Sequence, residues 1–125
     1  MKAKKAFTMI ELVFVIVVIG ILASIAVPKF AATRDDAIIS KARSDVAAMR
    51  SAISMQRQKN ILKGDFTDIN ASSVEALLQY GLDSRWSVSG SNFTFTLGSK
   101  TCVFEVSGNK LMITETCTID GLDDL

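Results

Sequence analysis

Residues 7–28 read FTMIELVFVIVVIGILASIAVP, and this stretch decides the fold. From Phe7 to Val27, 17 of 21 residues are apolar and the only charge is Glu11. An α-helix of that length rises about 31 Å, which matches the core of a bilayer. The preceding segment, MKAKKA, carries Lys2, Lys4 and Lys5, and basic residues flanking a span stay on the cytoplasmic side. The carboxyl-terminal part is therefore expected outside the cytoplasm. A cleavable secretory signal is the competing reading, because Ala23-Ser24-Ile25-Ala26 offers small residues. Two features speak against it: the acid at Glu11, and a run that passes directly into another helical pattern.

A carboxylate in lipid is costly and ordinarily finds a partner or an interface. No Lys or Arg stands between Lys5 and Lys29, so the span offers Glu11 no cation of its own. It is then either an interfacial acid solvated by headgroups or an acid awaiting a positive partner. Cutting the chain before Phe7 would create one, a terminal ammonium four residues away on roughly the same helix face. An ammonium on a neighbouring subunit would serve equally and would couple neutralisation to assembly. Gly20 and Pro28 weaken the helix on physical grounds alone, the first by backbone freedom, the second by a missing donor and a steric clash. A kink near Pro28 is expected.

The string A-FTMIEL followed by a long apolar helix resembles the class III signal of type IV pilins and type II secretion pseudopilins. The resemblance covers about the first 30 residues closely and the remaining layout loosely. It implies that a prepilin peptidase cuts between Ala6 and Phe7 and methylates the new amino group of Phe7. It implies that Glu11 neutralises the terminal amine of a neighbouring subunit during assembly. It also places Gly20 and Pro28 where the family often has helix-loosening residues, and implies local unwinding between them when helices pack in a filament. The family usually has glycine before the cut, where this chain has Ala6, another small residue.

Ile38, Ala42, Val46, Met49 and Ile53 form one helical stripe, and no Gly or Pro interrupts Lys29 to Lys63. Gly64 supplies the stop. A helix from Phe7 to Lys63 would be about 85 Å long, more than a domain of this size can bury. Ser72 and Glu75 fit a capping box opening a short helix to about Tyr80. Beyond Gly81 the period becomes two. Arg85–Val88, Phe93–Leu97, Thr101–Val106 and Lys110–Thr116 read as strands separated by turn sequences. Trp86, Val88, Phe93, Phe95, Leu97, Phe104, Val106, Leu111 and Ile113 form the expected inner face. The expected fold is α+β, pilin-like: a long amino-terminal helix packed on a four-strand antiparallel meander. Four parts follow: a leader over 1–6, a membrane or filament-core helix over 7–28, an amphipathic helix over 29–63 and a globular head over 64–125.

Cys102 and Cys117 are the only cysteines. With Gly108-Asn109 as a two-residue loop, Cys102 faces Glu115 and lies diagonal to Cys117. A small bulge or bend would bring the pair to bonding range outside the cytoplasm, and without it they are two free thiols. The CxxC spacing of redox-active pairs is absent.

The chain has no histidine, which excludes Ser-His-Asp and Cys-His pairs and most zinc sites. It has no phosphate-binding loop, and no enzyme or cofactor is expected. Lys29–Lys63 holds eight basic and three acidic residues, and Gly64–Leu125 three basic and nine acidic. These read either as two solvated surfaces of one domain or as a basic helix meeting the next subunit's acidic head, with Arg50 and Arg57 as contacts. Arg50, Arg57, Lys59 and Lys63 lack interleaved aromatics, so direct nucleic-acid binding is not expected. Asp120, Asp123 and Asp124 lack the spacing of a preformed loop and read as a solvated acidic tail; the resemblance to major pseudopilins raises calcium there.

The expected function is a structural subunit, held in the inner membrane and then assembled into a type IV pilus or secretion pseudopilus for secretion, adhesion and motility, or DNA uptake. Its expected partners are the prepilin peptidase, membrane lipid, sister subunits, an inner-membrane assembly platform and a motor ATPase. The alternative is a single-span anchored binding module that never polymerises.

Overall fold

A computed structural model describes residues 4–125, so the first three residues of the expected leader, Lys2 included, lie outside the described residues. The elements run α1 (Met9–Leu62), α2 (Ala71–Leu77), β1 (Trp86–Ser89), β2 (Asn92–Leu97), β3 (Lys100–Ser107) and β4 (Lys110–Ile113). This is the α+β pilin-like arrangement, a long helix with a four-strand antiparallel sheet. The chain divides into two units between Ala37 and Ile38, and α1 contributes to both.

In the first unit α1 carries its apolar side chains outward. Ile10, Leu12, Phe14, Ile16, Ile19, Leu22, Ile25 and Val27 are all exposed. The helix runs unbroken through Gly20 and Pro28. Between those two residues the Ser24 hydroxyl donates to the Ile21 carbonyl at 2.7 Å, a side-chain bond that competes with the helix ladder. A Cβ at Gly20 would meet open space, so nothing in the described residues requires glycine there by packing.

In the second unit the predicted stripe is the buried one: Ala42, Val46, Met49 and Ile53 are core, with Ile38 partly covered. Its end follows from Gly64, whose φ of 74° is left-handed. The Gly64 N–H donates to the Ile61 carbonyl and the Asp65 N–H to Asn60, at 3.0 and 2.9 Å. These two bonds satisfy carbonyls that the helix leaves unpaired, in a Schellman arrangement.

The sheet is a meander in the order β1-β2-β3-β4. The β3–β4 register pairs Ser107 with Lys110, Val106 with Leu111 and Phe104 with Ile113, as the two-residue loop predicts. Gly108 and Asn109 have φ of 56° and 61°, the two left-handed positions of a type I′ turn. Trp86, Phe93, Phe95, Phe104, Val106 and Leu111 are buried, while Val88, Leu97 and Ile113 are partly covered. The Trp86 ring lies 4.9 Å from Phe95 and 5.8 Å from Phe104. Its indole N–H donates to Asp45 of α1 at 3.0 Å, so the one polar atom of this ring is satisfied across the core.

Three local readings are corrected. Asn70, not Ser72, caps α2: its side-chain oxygen accepts from the Ser73 N–H at 2.9 Å. The short helix stops at Leu77 instead of Tyr80. β4 stops at Ile113 instead of Thr116, because the chain turns beyond Thr114. The segment after it is not simply a solvated acidic tail. Ile119 and Leu122 are fully buried in the core, which anchors this last segment to the head.

Candidate functional site

The peptide bond joining Ala6 to Phe7 lies in non-helical backbone just before α1, and both residues are exposed. Thr8 is the cap of α1. Its N–H and hydroxyl both donate to Glu11 Oε2, at 2.9 and 3.0 Å, and the Glu11 N–H donates to the Thr8 hydroxyl at 3.3 Å. Each residue satisfies the other's main-chain donor, which is a capping box. The carboxylate also sits at the positive end of the helix dipole. Glu11 therefore has a partner in its own chain, and Thr8 is a capping residue not expected from the sequence. Its signal is present, Thr-x-x-Glu ahead of an apolar run, the same pattern that Ser72 and Glu75 offer further on. Oε1 of Glu11 makes no hydrogen bond among the described residues. Around it Phe7, Ile10, Phe14 and Val15 border an open concavity of about 370 Å³.

Cys102 and Cys117 are joined as a disulfide with Cα atoms 4.0 Å apart. The bend that brings them together is visible in the backbone. The Thr114 N–H donates to Val103 and the Thr118 N–H to Thr101, both at 2.9 Å. Three residues, 115–117, therefore stand against Cys102 alone between these two bonds, and Cys117 moves from a diagonal position to one beside Cys102.

The charges of the second unit are largely partnered within it. Lys41 Nζ lies 3.1 Å from Asp45 and 3.4 Å from Asp83, and Arg85 lies 3.1 Å from Asp83. The hydrogen bond to Asp45 holds the Lys41 pKa above its ordinary value. Burial pushes Asp83 upward, but the Arg85 N–H and the Lys41 and Arg85 charges outweigh it and hold the carboxyl below its ordinary value. Arg43 pairs with Asp124 at 2.9 Å, and Arg50 donates to the Leu125 main-chain oxygen. Arg50 thus tethers its own chain's segment. Asp123 accepts from the Gly121 N–H at 3.0 Å and Asp120 lies 3.6 Å from Lys100. The three carboxylates thus point to three different partners.

An exposed apolar half-helix headed by a capped acid, followed by a helix-on-meander unit, defines a structural subunit of the pilin-like class. A model of the prokaryotic N-terminal methylation motif matches residues 1–27. The chain is 35% identical over 113 residues to the type IV narrow pilus major component of Thermus thermophilus, covering 84% of this chain and 97% of that protein. It is 39% identical over 59 residues to type II secretion system core protein G of Klebsiella michiganensis, covering 47% of this chain and 42% of that one. It is 44% identical over 52 residues to a fimbrial protein of Pseudomonas aeruginosa, covering 42% and 34%. The match thus spans less than half the length of these last two relatives. No solved structure matches the chain. The chain belongs to the family of type IV pilins and type II secretion pseudopilins, which are structural subunits and not enzymes.

Proposed function

We propose that this chain is a membrane-stored prepilin that is cut between Ala6 and Phe7 by a prepilin peptidase, methylated at Phe7 and assembled with copies of itself into a pilus or secretion pseudopilus. Before assembly, residues 7–28 lie in the inner membrane, with the amphipathic helix over 29–63 and the head over 64–125 on the periplasmic side. After assembly the same apolar surface is covered by sister helices. Lipid and a helix bundle are almost equally apolar, so this exchange gains little hydrophobic free energy, and packing and polar pairing must bias it. Glu11 supplies that pairing. Its Oε2 is held by Thr8, and Oε1 accepts the Phe7 amine of the neighbouring subunit. Gly20, Ser24 and Pro28 weaken the intervening helix so that it loosens when helices crowd together. An inner-membrane platform and a motor ATPase supply the work of extraction.

The observation that carries this reading is the exposed apolar stretch of α1 from Met9 to Val27, whose single acid, Glu11, stands four residues after Phe7 and its exposed, non-helical bond to Ala6. Mass spectrometry of the protein recovered from cells tests it. The expected amino terminus is Phe7 bearing one methyl group, with cross-links joining neighbouring subunits. A chain that retains residues 1–6 and never cross-links to itself would establish the single-span anchored binding module instead.

A further inference from the structure

β4 is an outer strand of the sheet, and a groove of about 350 Å³ lies along it. Ile53, Ser54 and Arg57 of α1 line one wall, and Lys110, Leu111 and Met112 the other. The type I′ turn makes Ser107 and Lys110 a hydrogen-bonded pair, and the Thr114 N–H bonds Val103. Antiparallel alternation then directs the main-chain N–H and C=O of Lys110 and Met112 toward β3, and those of Leu111 and Ile113 away from it. Among the described residues no further main-chain bond reaches Leu111 or Ile113. The edge is therefore a ready template for one more strand.

The groove has a definite charge. Three cations line it, Arg50, Arg57 and Lys110. Arg50 donates to the Leu125 main-chain oxygen, while Arg57 and Lys110, like Lys59 and Lys63, make no salt bridge among the described residues. Arg57 stands on the helix side, and Lys110 belongs to the outward-facing set of β4 with the half-exposed Met112. An added strand alternates its side chains between these two sides. An inward carboxylate on it would meet Arg57 and an outward one would meet Lys110, while an outward apolar residue covers Met112. A lysine on an edge ordinarily discourages pairing with another sheet. Here it repels basic and admits acidic segments. The other outer strand, β1, reads Trp86-Ser87-Val88-Ser89 and has no carboxylate, so edge-to-edge pairing of two copies lacks the matching charge.

We propose that the β4 edge is a docking site for a short, extended, acidic peptide segment of another protein, which adds as a fifth strand. The assignment is independent of filament formation, because it is read on the unassembled subunit. The test uses the full chain in detergent micelles, isotope-labelled, with a peptide of repeating Glu-Glu-Val-Val as the probe, which puts carboxylates on both faces of an added strand, and its Lys-Lys-Val-Val counterpart as control. Expected are shifts and slowed hydrogen exchange confined to the Leu111 and Ile113 amides with the acidic peptide alone, and binding weakened about tenfold or more by R57E combined with K110E. Equal binding of the two peptides, or unchanged amides, would overturn it. So would capture of a single-stranded oligonucleotide in place of the peptide. Shifts of the same amides with protein concentration alone would show a self-interface and overturn it as well.

Discussion

The two halves of α1 differ in what can cover them. Between Met9 and Val27 the apolar residues surround the helix, and nearly all are exposed. Between Ile38 and Leu62 they narrow to one stripe, and Ala42, Val46, Met49 and Ile53 are each at most 3% exposed. A stripe can be covered by one sheet of the same chain. A helix that is apolar all round needs an apolar medium or several sister helices. The period of the sequence therefore separates self-sufficient folding from dependence on a partner within a single element.

That contrast breaks if variants in the two halves affect the head alike. Phe104→Ala, at a fully buried site, should lower the head's unfolding free energy by about 3–5 kcal/mol in denaturant titrations. Val15→Ala, on the exposed half, should leave it within about 0.5 kcal/mol. Reducing the Cys102–Cys117 bond removes a smaller share. The loop spans a sequence separation of 15 residues, and its release should cost roughly 3 kcal/mol on the chain-entropy account. The difference between unfolding under oxidising and reducing conditions measures it. Asp45→Ala removes the acceptor for the Trp86 indole and the partner of Lys41, and should cost about 1–2 kcal/mol with a change in tryptophan emission.

The smallest effect is on pH dependence. Asp83 has a lowered pKa, so its contribution is present above its ordinary value of 3.8 and is lost as pH falls through the folded value. Lys41 has a raised pKa, so its contribution is present below its ordinary value of 10.5 and is lost as pH rises through the folded value. Head stability should therefore lack slope from this cluster at neutral pH and decline at the acid and alkaline ends. Asp83→Asn should flatten the acid decline, measured by thermal unfolding across a pH series.

Much of this is legible in the sequence because its periods are unambiguous. The stripe, the four strands and the Gly108-Asn109 register all follow from spacing and turn chemistry. The cap at Asn70 is hidden because Ser72 and Glu75 offer a capping signature two residues later, and only tertiary context decides between them. Ile119 and Leu122 are hidden by their acidic neighbours. Two apolar residues among Asp120, Asp123 and Asp124 give no period, and their burial depends on the turn that the disulfide holds. The Thr8–Glu11 pair is written in the sequence, but the cost of a carboxylate in lipid points to an intermolecular partner first. The Arg50 tether is invisible there, since it joins residues 75 apart. It changes the expectation for Arg50→Glu, which should disturb the head's own segment as well as any contact between subunits.

The central claim is that Glu11 is held by Thr8 in the stored subunit and pairs with a neighbour's liberated amine in the filament. Filament yield from cells carrying Glu11→Gln tests it most directly, with membrane levels and head unfolding measured on the same variant. The account predicts loss of filaments with both controls unchanged. Filaments of ordinary yield and subunit order from Glu11→Gln would contradict it.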